Sequence, residues 1–255
     1  MKILVVGDIV GKPGREATAQ LVPRLRKRYA VDMVIANCEN AAGGVGITQT
    51  TAESILESEV DVLTTGNHVW RRKEVLPYLD SDAPIIRPLN YPPNVPGRGY
   101  ITIGDVMVAN LVGRTFMKSY DCPFRAMDAL LAGPGLPKIV IVDMHAEATS
   151  EKVAMGWYLD GRVTAVIGTH THVGTVDTRV LPQGTAYVTD VGMVGPMESV
   201  IGADKEVILS SFLTQMPFNQ SVGKGDTVFN SVLIDVDEST GHAISIDRID
   251  EEIKV

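Results

Sequence analysis

The sequence predicts an α/β fold of two packed sheets with helices outside. Three observations predict it. Apolar runs of strand length alternate with amphipathic segments over residues 1–80 and again over 138–168, an antiparallel hairpin lies between those regions, and acidic, amide and imidazole side chains gather where the apolar runs end. Such βα repetition implies a mainly parallel sheet. The carboxyl ends of its strands form one edge, where ligands bind. One site across the shared edge of the two sheets is expected, in a single domain over residues 1–255.

The first run, Ile3-Leu4-Val5-Val6-Gly7, predicts a strand over 2–7 that ends at Asp8. A helix over about 13–29 follows, with Pro13 in its first turn, where the missing N–H costs nothing. Its basic end, Arg24-Leu25-Arg26-Lys27-Arg28, complements the helix dipole rather than forming a binding patch. A strand over 31–37 leads into Glu39-Asn40, and a helix over about 48–58 starts from Thr48 as N-cap. A strand over 61–65 and a helix over about 70–80 complete this region. Residues 84–99, rich in proline, asparagine and glycine, read as an ordered loop, because apolar runs resume at 100–103 and 106–111 as a hairpin about Gly104-Asp105. Beyond it come a strand over 138–143, a helix over 150–160 and a strand over 163–168. Short strands near 176–181 and 185–189, a helix around 203–214 and strands near 227–236 and 243–249 finish the chain.

A 255-residue chain that is 45% hydrophobic is long enough for a substantial core. No apolar run approaches the ~20 residues that cross a bilayer, and the apolar start is too short for a signal peptide. A cytoplasmic protein without a membrane partner is expected. The net charge of -8, with 31 acidic against 23 basic residues, argues against a surface that tracks duplex nucleic acid, while a small nucleotide remains compatible. A homo-oligomer is equally compatible. With only Cys38 and Cys122, no disulfide framework holds the fold. Strand alternation points Cys38 away from the face that carries Glu39, so a buried structural thiol is expected.

Four of the five histidines fall in three short segments, Gly66-Asn67-His68, Asp143-Met144-His145 and Gly168-Thr169-His170-Thr171-His172. Alternate residues of an extended segment face one side, so His170 and His172 can address adjacent ions. A two-metal hydrolytic centre needs oxygen and nitrogen ligands from several strands and one group that bridges both ions. Glu39 is the natural bridge. Asp8 and His172 complete one ion's protein shell, and Asn67, His145 and His170 the other's, with Asn40 free to bind metal or substrate phosphate. Such a pair polarises a phosphoryl group and activates water at neutral pH. Carboxylate, amide and imidazole ligands suit iron, manganese and zinc alike. His68, beside Asn67, is placed to protonate the leaving oxygen, and His242 reads as a surface turn residue. Gly43-Gly44-Val45-Gly46, ahead of the helix at Thr48, reads equally as an anion-accepting loop and as a tight turn. Gly11-Lys12-Pro13-Gly14-Arg15 and Arg114 are further candidates for phosphate contact.

Asp8, Gly66-Asn67-His68, His145 and His170-Thr171-His172 together resemble the calcineurin-like metallophosphoesterase superfamily. Asp8-Ile9-Val10 stands where that pattern has Asp-x-His, and Glu39 with Asn40 stands where it has a bridging Asp. These departures resemble the YmdB-like family, as do Val6-Gly7-Asp8-Ile9-Val10-Gly11-Lys12-Pro13-Gly14-Arg15, Asn37-Cys38-Glu39-Asn40-Ala41-Ala42-Gly43-Gly44, Thr65-Gly66-Asn67-His68-Val69-Trp70 and Thr189-Asp190-Val191-Gly192-Met193-Val194-Gly195-Pro196. The resemblance implies a four-layer α/β/β/α sandwich and two divalent or trivalent ions, iron or manganese. It also implies hydrolysis of 2',3'-cyclic nucleotides, with 2',3'-cyclic AMP favoured. A nucleotidase or phosphomonoesterase, and a regulatory nucleotide- or RNA-binding protein with structural metals, are the competing readings. Phe116, Tyr91 and Trp70 are the candidates for stacking on a base.

Overall fold

The computed structural model describes residues 1–219 and 221–254. Its first unit is β1 (Lys2–Val10), α1 (Gly11–Tyr29), β2 (Met33–Asn40), α2 (Gln49–Leu56) and β3 (Val62–Thr64). The three strands pair in parallel, β1 with β2 and β2 with β3. In β1 the pleat sends Leu4 and Val6 into one apolar cluster and Ile3 and Val5 into another, which is the period-2 signature of a strand buried on both faces. The α2 helix starts at the expected cap, where Thr48 Oγ1 accepts from the Thr51 backbone N–H. The basic end of α1 is a solvated terminus, with Arg26 3.0 Å from Asp61 and Arg28 3.3 Å from Glu251.

After α3 (Leu76–Leu79) comes the second sheet, built from β4 (Tyr100–Ile103), β5 (Val106–Val112), β6 (Ile139–His145), β7 (Ala165–Thr169), β8 (Arg179–Val180) and β9 (Ala186–Val188) in the order β4-β5-β6-β7-β9-β8. The α4 helix (Pro123–Leu131) precedes β6, and α5 (Thr149–Leu159) precedes β7. The remaining elements are β10 (Met193–Asp204), α6 (Lys205–Thr214), β11 (Val222–Phe229), β12 (Ser231–Val236), β13 (Ala243–Arg248) and β14 (Glu251–Ile253), and their strands all return to the first sheet. With β2 on one edge of β1, the other edge is shared. Lys2 to Val6 pair antiparallel with β12, and Asp8 and Ile9 pair parallel with β10. At Asn230 the chain passes from the edge of β10 to the edge of β1.

Three apolar clusters define four layers. One lies between α1, α2 and the first sheet, and another, holding Met107, Val140, Val142 and Met155, lies between the second sheet and α4 and α5. The third lies between the sheets, where Ile3, Val5 and Ile35 meet Val108, Ile141 and Ile167. This is the α/β/β/α sandwich, and among the described residues no helix is long and apolar enough to cross a membrane.

Five elements differ from the expectation, the shortest being β14, a strand beyond the one expected near 243–249. The helix over 70–80 is a 3-10 turn (Lys73–Val75) followed by the four residues of α3. The chain ahead of it folds instead into turns over Gly66 to Arg71 that carry His68 to Glu39. The α4 helix is an addition, although Pro123 at its start and Phe124, Met127 and Leu131 at helical spacing mark it. The 12-residue β10 is another, because Gly195, Pro196 and Gly202 disfavour a strand. The single strand expected near 227–236 is two, separated at Asn230.

Candidate metal centre

Parallel pairing aligns the carboxyl ends of β1, β2 and β3 in one sheet and of β6 and β7 in the other, and packing of the two sheets brings these edges together. Asp8, Glu39 and Asn40 lie in the last residues of β1 and β2, and His145 ends β6. Asn67 and His68 follow β3, and His170 and His172 follow β7. The approach is so close at Gly66 that a Cβ there would overlap both the His145 ring and the Glu39 carboxylate. Only glycine fits between the two.

Glu39, His145 and His170 each present one ligand atom within 4.8 Å of the others. The Glu39 Oε1 lies 3.0 Å from His145 Nε2, and His170 Nδ1 lies 3.0 Å from the same nitrogen. Asn67 Oδ1 is 3.1 Å from it as well. On the other side His172 Nε2 is 3.8 Å from Asp8 Oδ1 and 3.1 Å from Asn40 Nδ2. All seven expected ligands are thus brought to one place.

Each imidazole is held by one nitrogen and presents the other. His145 Nδ1 meets Thr169 Oγ1 at 2.9 Å, and that hydroxyl donates to Asp143 Oδ1 at 2.6 Å, which leaves Nε2 facing inward. His172 Nδ1 donates to the Ile201 carbonyl at 2.7 Å, and His170 Nε2 faces Glu147 at 3.1 Å. His68 Nδ1 is 2.8 Å from Asn40 Oδ1 and 3.3 Å from Glu39 Oε1, while its Nε2 makes no hydrogen bond to the described residues. Partners of this kind fix the tautomer and ring orientation of a metal-binding histidine.

The electrostatics are those of an electron-rich site with a buried floor. Asp8, Glu39 and His145 are all 0% exposed, and Asp8 Oδ1 and Glu39 Oε1 have no hydrogen-bond partner among the described residues. The 3.0 Å contact of Glu39 Oε1 with His145 Nε2 is therefore an ionic approach without hydrogen-bond geometry. Burial raises the Glu39 carboxyl, but His145 and His68 outweigh it and hold it well below the ordinary carboxylate range. Burial alone lowers His145, yet Glu39, Asp8 and Asp143 push it up to about 9. Burial pushes Asp8 up to about 6, and burial with His145 takes His170 down to about 3. Two inward imidazole nitrogens beside a charged carboxylate require a positive charge among them. A proton on His145 supplies one, and a metal ion suits the same donors.

Two buried carboxylates that are not among the expected ligands hold this arrangement. Asp143 accepts from Thr64, Thr169 and Asn37 at 2.5, 2.6 and 3.1 Å. Asp190 Oδ2 accepts from Lys152 Nζ at 2.6 Å and from the Thr171 hydroxyl and N–H at 2.6 and 3.1 Å. That clamp grips the residue between His170 and His172, whose φ values of 98° and 65° are left-handed and costly for non-glycine residues. The sequence carries a signal for each. Asp143 shares a strand face with His145, and Asp190 ends the run after β9.

A cavity of about 340 Å³ opens over the centre, lined by Glu39, Asn40, Gly44, His68, Glu147, His170 and His172, with apolar residues of β10 and α6 opposite. Gly44 reaches it, but the Ala42 and Gly44 N–H groups bond within the turn, to Gly46 and Asn40 carbonyls. Gly43 packs beside Arg72, and the Arg15 guanidinium braces the Ala41 carbonyl. Arg114 lines a separate depression with Thr115, Lys118 and Tyr120, and its backbone N–H bonds to Glu151. None of the three aromatics expected near a base lines the cavity. Tyr91 stacks edge-on with Trp70 and Tyr120 at centroid distances of 5.4 and 5.1 Å, and Phe116 is 88% exposed elsewhere. Cys38 is buried as expected, its thiol donating to the Thr64 carbonyl, and His242 is exposed.

Residues 4–249 match the family described as YmdB-like protein. The chain is 45% identical over 254 residues to the 2',3'-cyclic-nucleotide 2'-phosphodiesterase of Bacillus subtilis (strain 168), covering 98% of this chain and 96% of that protein. A crystal structure of a hypothetical protein from Thermus thermophilus superposes with a TM-score of 0.93 at 42% identity, over 99% of this chain and 100% of that one. A crystal structure of a novel phosphatase from Mycoplasma pneumoniae superposes with a TM-score of 0.94 at 34% identity, over 100% of this chain and 94% of that one. The fold is that of the metallophosphoesterases.

Proposed function

Because the chain belongs to the YmdB-like family, we propose that it is a metal-dependent phosphodiesterase that hydrolyses 2',3'-cyclic nucleotides, with 2',3'-cyclic AMP the favoured substrate. The observation that carries this reading is the buried Glu39 carboxylate, with one oxygen lacking a hydrogen-bond partner among inward imidazole nitrogens. An orphaned Asp8 oxygen beside His172 repeats the pattern on the other side of the centre. These donors fit two ions. Glu39 would bridge them, with Asp8 and His172 on one and Asn67, His145 and His170 on the other, and Asn40 beside both. Iron or manganese is the expected occupant, and the donor set also suits zinc. When bound, the ions supply Lewis acidity toward the phosphoryl group and water activated at neutral pH.

The protein's own part is positioning and proton delivery. Asn40 and Glu39 hold His68 by Nδ1, so Nε2 is the atom that gives a proton to the leaving ribose oxygen. Asp143 through Thr169, and Asp190 through Thr171, fix the rings that meet the ions. The acidic chain and the small cavity favour a small phosphodiester over duplex nucleic acid, and the same reading makes the protein a single cytoplasmic domain.

Metal analysis of the purified protein, followed by assays on bis-p-nitrophenyl phosphate, p-nitrophenyl phosphate and 2',3'-cyclic AMP, tests this. Two ions per chain with diester hydrolysis are expected. Hydrolysis of the monoester alone would replace the reading with a phosphomonoesterase, and bound metal without turnover would make the protein a binding module.

A further inference from the structure

The cavity over the metal centre has a second half that the hydrolytic chemistry does not use. Opposite the histidines it is walled by Ile201, Ile208, Phe212 and Phe218. Ile208 and Phe212 are four residues apart on α6 and so share one face. Among the ten residues of α6 are Val207, Ile208, Leu209, Phe212 and Leu213, yet none of the ten is buried. Phe212 is 71% exposed and Phe218 45%. An apolar pair on one helix face ordinarily rests on a core. Here that face looks across a space of about 340 Å³ at Glu39, His68 and His170, a volume in the range of small-molecule sites.

We propose that Phe212 and Phe218, backed by Ile208 and Ile201, are the seat of the substrate's nucleobase. This rests on the reading of the centre as a cyclic-nucleotide phosphodiesterase, and it assigns the part of the ligand that the centre does not touch. A ligand that fills both halves carries a phosphodiester at one end and a flat, apolar-faced ring at the other. On the apolar half no polar side chain among the described residues lines the cavity, and the nearest polar groups are engaged, the Ile201 carbonyl by His172 and Thr171 by Asp190. The wall therefore stacks on a base without reading its edge. Adenine is favoured over uracil only through its larger ring, and because stacking tolerates every base the preference between them stays within about tenfold.

The experiment compares 2',3'-cyclic AMP, 2',3'-cyclic UMP and the base-free glycerol 1,2-cyclic phosphate as substrates of the metal-loaded wild type, Phe212→Ala, Phe218→Ala and Phe212→Trp. Calorimetric binding of adenosine 3'-monophosphate is measured alongside. Stacking on an aromatic side chain is lost by a factor of roughly 5 to 150 per base on alanine substitution. Each alanine variant should raise KM for both nucleotides in that range, with little or no loss on the base-free ester, and should weaken adenosine 3'-monophosphate binding in parallel. Phe212→Trp should retain both at the wild-type level. Equal losses on all three substrates, or a changed molecular mass by light scattering with no substrate selectivity, would overturn the base seat and make the patch a contact between copies. Wild type that turns over the cyclic esters while the variants show no selective loss would overturn the seat alone. Turnover of none of them by wild type would overturn the reading of the centre and the seat with it.

Discussion

At the floor of the cavity Asp8, Glu39 and His145 have 0% exposure, and the imidazoles of His145 and His172 are fixed by partners on their far nitrogens. Across the same cavity α6 carries an apolar face and buries none of its residues. The floor is placed by strands packed on both faces, so its geometry is set before any ligand arrives. The wall is held by one flank on β10 and gains its apolar contacts when a ligand fills the space. Chemistry that tolerates little displacement sits on the first, and recognition that tolerates a range of rings sits on the second. Perturbing each side should give different symptoms.

The largest effect is expected from Glu39→Ala, which removes the group shared by both proposed ions. Metal content and diesterase activity should fall together, activity to background. Two equivalents of metal with normal turnover would break the account of the floor.

His68→Ala should keep its metal, because the His68 ring touches the centre only through Nδ1 to Asn40 and Glu39. General acid catalysis contributes roughly 10²- to 10⁴-fold. Turnover of 2',3'-cyclic AMP should fall by that order, and bis-p-nitrophenyl phosphate by much less, since p-nitrophenolate leaves without a proton. Loss of metal, or an equal loss on both substrates, would move His68 from proton donor to ligand or phosphate positioner.

Lys152→Met tests what holds the floor rather than what reacts on it. It leaves the Asp190 carboxylate buried without its 2.6 Å partner, a change that costs about 3–5 kcal/mol when one member of a buried pair is removed. A chain of this size should lose on the order of 6–20 °C in Tm. An unchanged melting temperature would show that the Thr171 contacts and the Gly192 N–H, which donates to Asp190 Oδ1 at 2.8 Å, alone satisfy Asp190. The smallest effect belongs to the wall's outer side. Leu213→Ser, at 84% exposure, should shift stability by no more than about 0.5 kcal/mol in chemical denaturation. A loss above about 2 kcal/mol, well outside the range of surface substitutions, would show that this face is covered in solution.

The same contrast governs what could be read from the sequence. Every expected ligand stands at or just past the end of an apolar run, because a ligand edge on a parallel sheet puts its polar residues there rather than in the middle of the strand. Asp143 and Asp190 stand inside quoted segments, yet their role escapes such a reading because they act on other residues of the site rather than as ligands. The wall is illegible for another reason. Aromatics on a short helix read as core, whereas Tyr91, Trp70 and Phe116 attract notice by lying near motifs, although Tyr91 and Trp70 are taken up by each other. β10 shows a third obstacle. Gly195, Pro196 and Gly202 argue against a strand, but the free end of β1 and the length of β11 supply pairing on both sides, and tertiary context overrides propensity.

The shared edge of β1 also has a consequence for how the molecule is made. Lys2 to Val6 reach their partner only at Ser231 to Asp235, and Asp8 and Ile9 reach theirs at Met193 and Val194. On the ribosome, at about 5–20 residues per second, the run Lys2-Ile3-Leu4-Val5-Val6 has β2 as its sole strand partner for roughly 10–40 s. During that interval an apolar strand offers an unpaired edge to any neighbouring nascent chain, which is the circumstance that invites aggregation. The last strands of the chain therefore act as the closure that retires its first one, and this protein should depend on translation rate and on holdase chaperones more than its compact final sheet suggests.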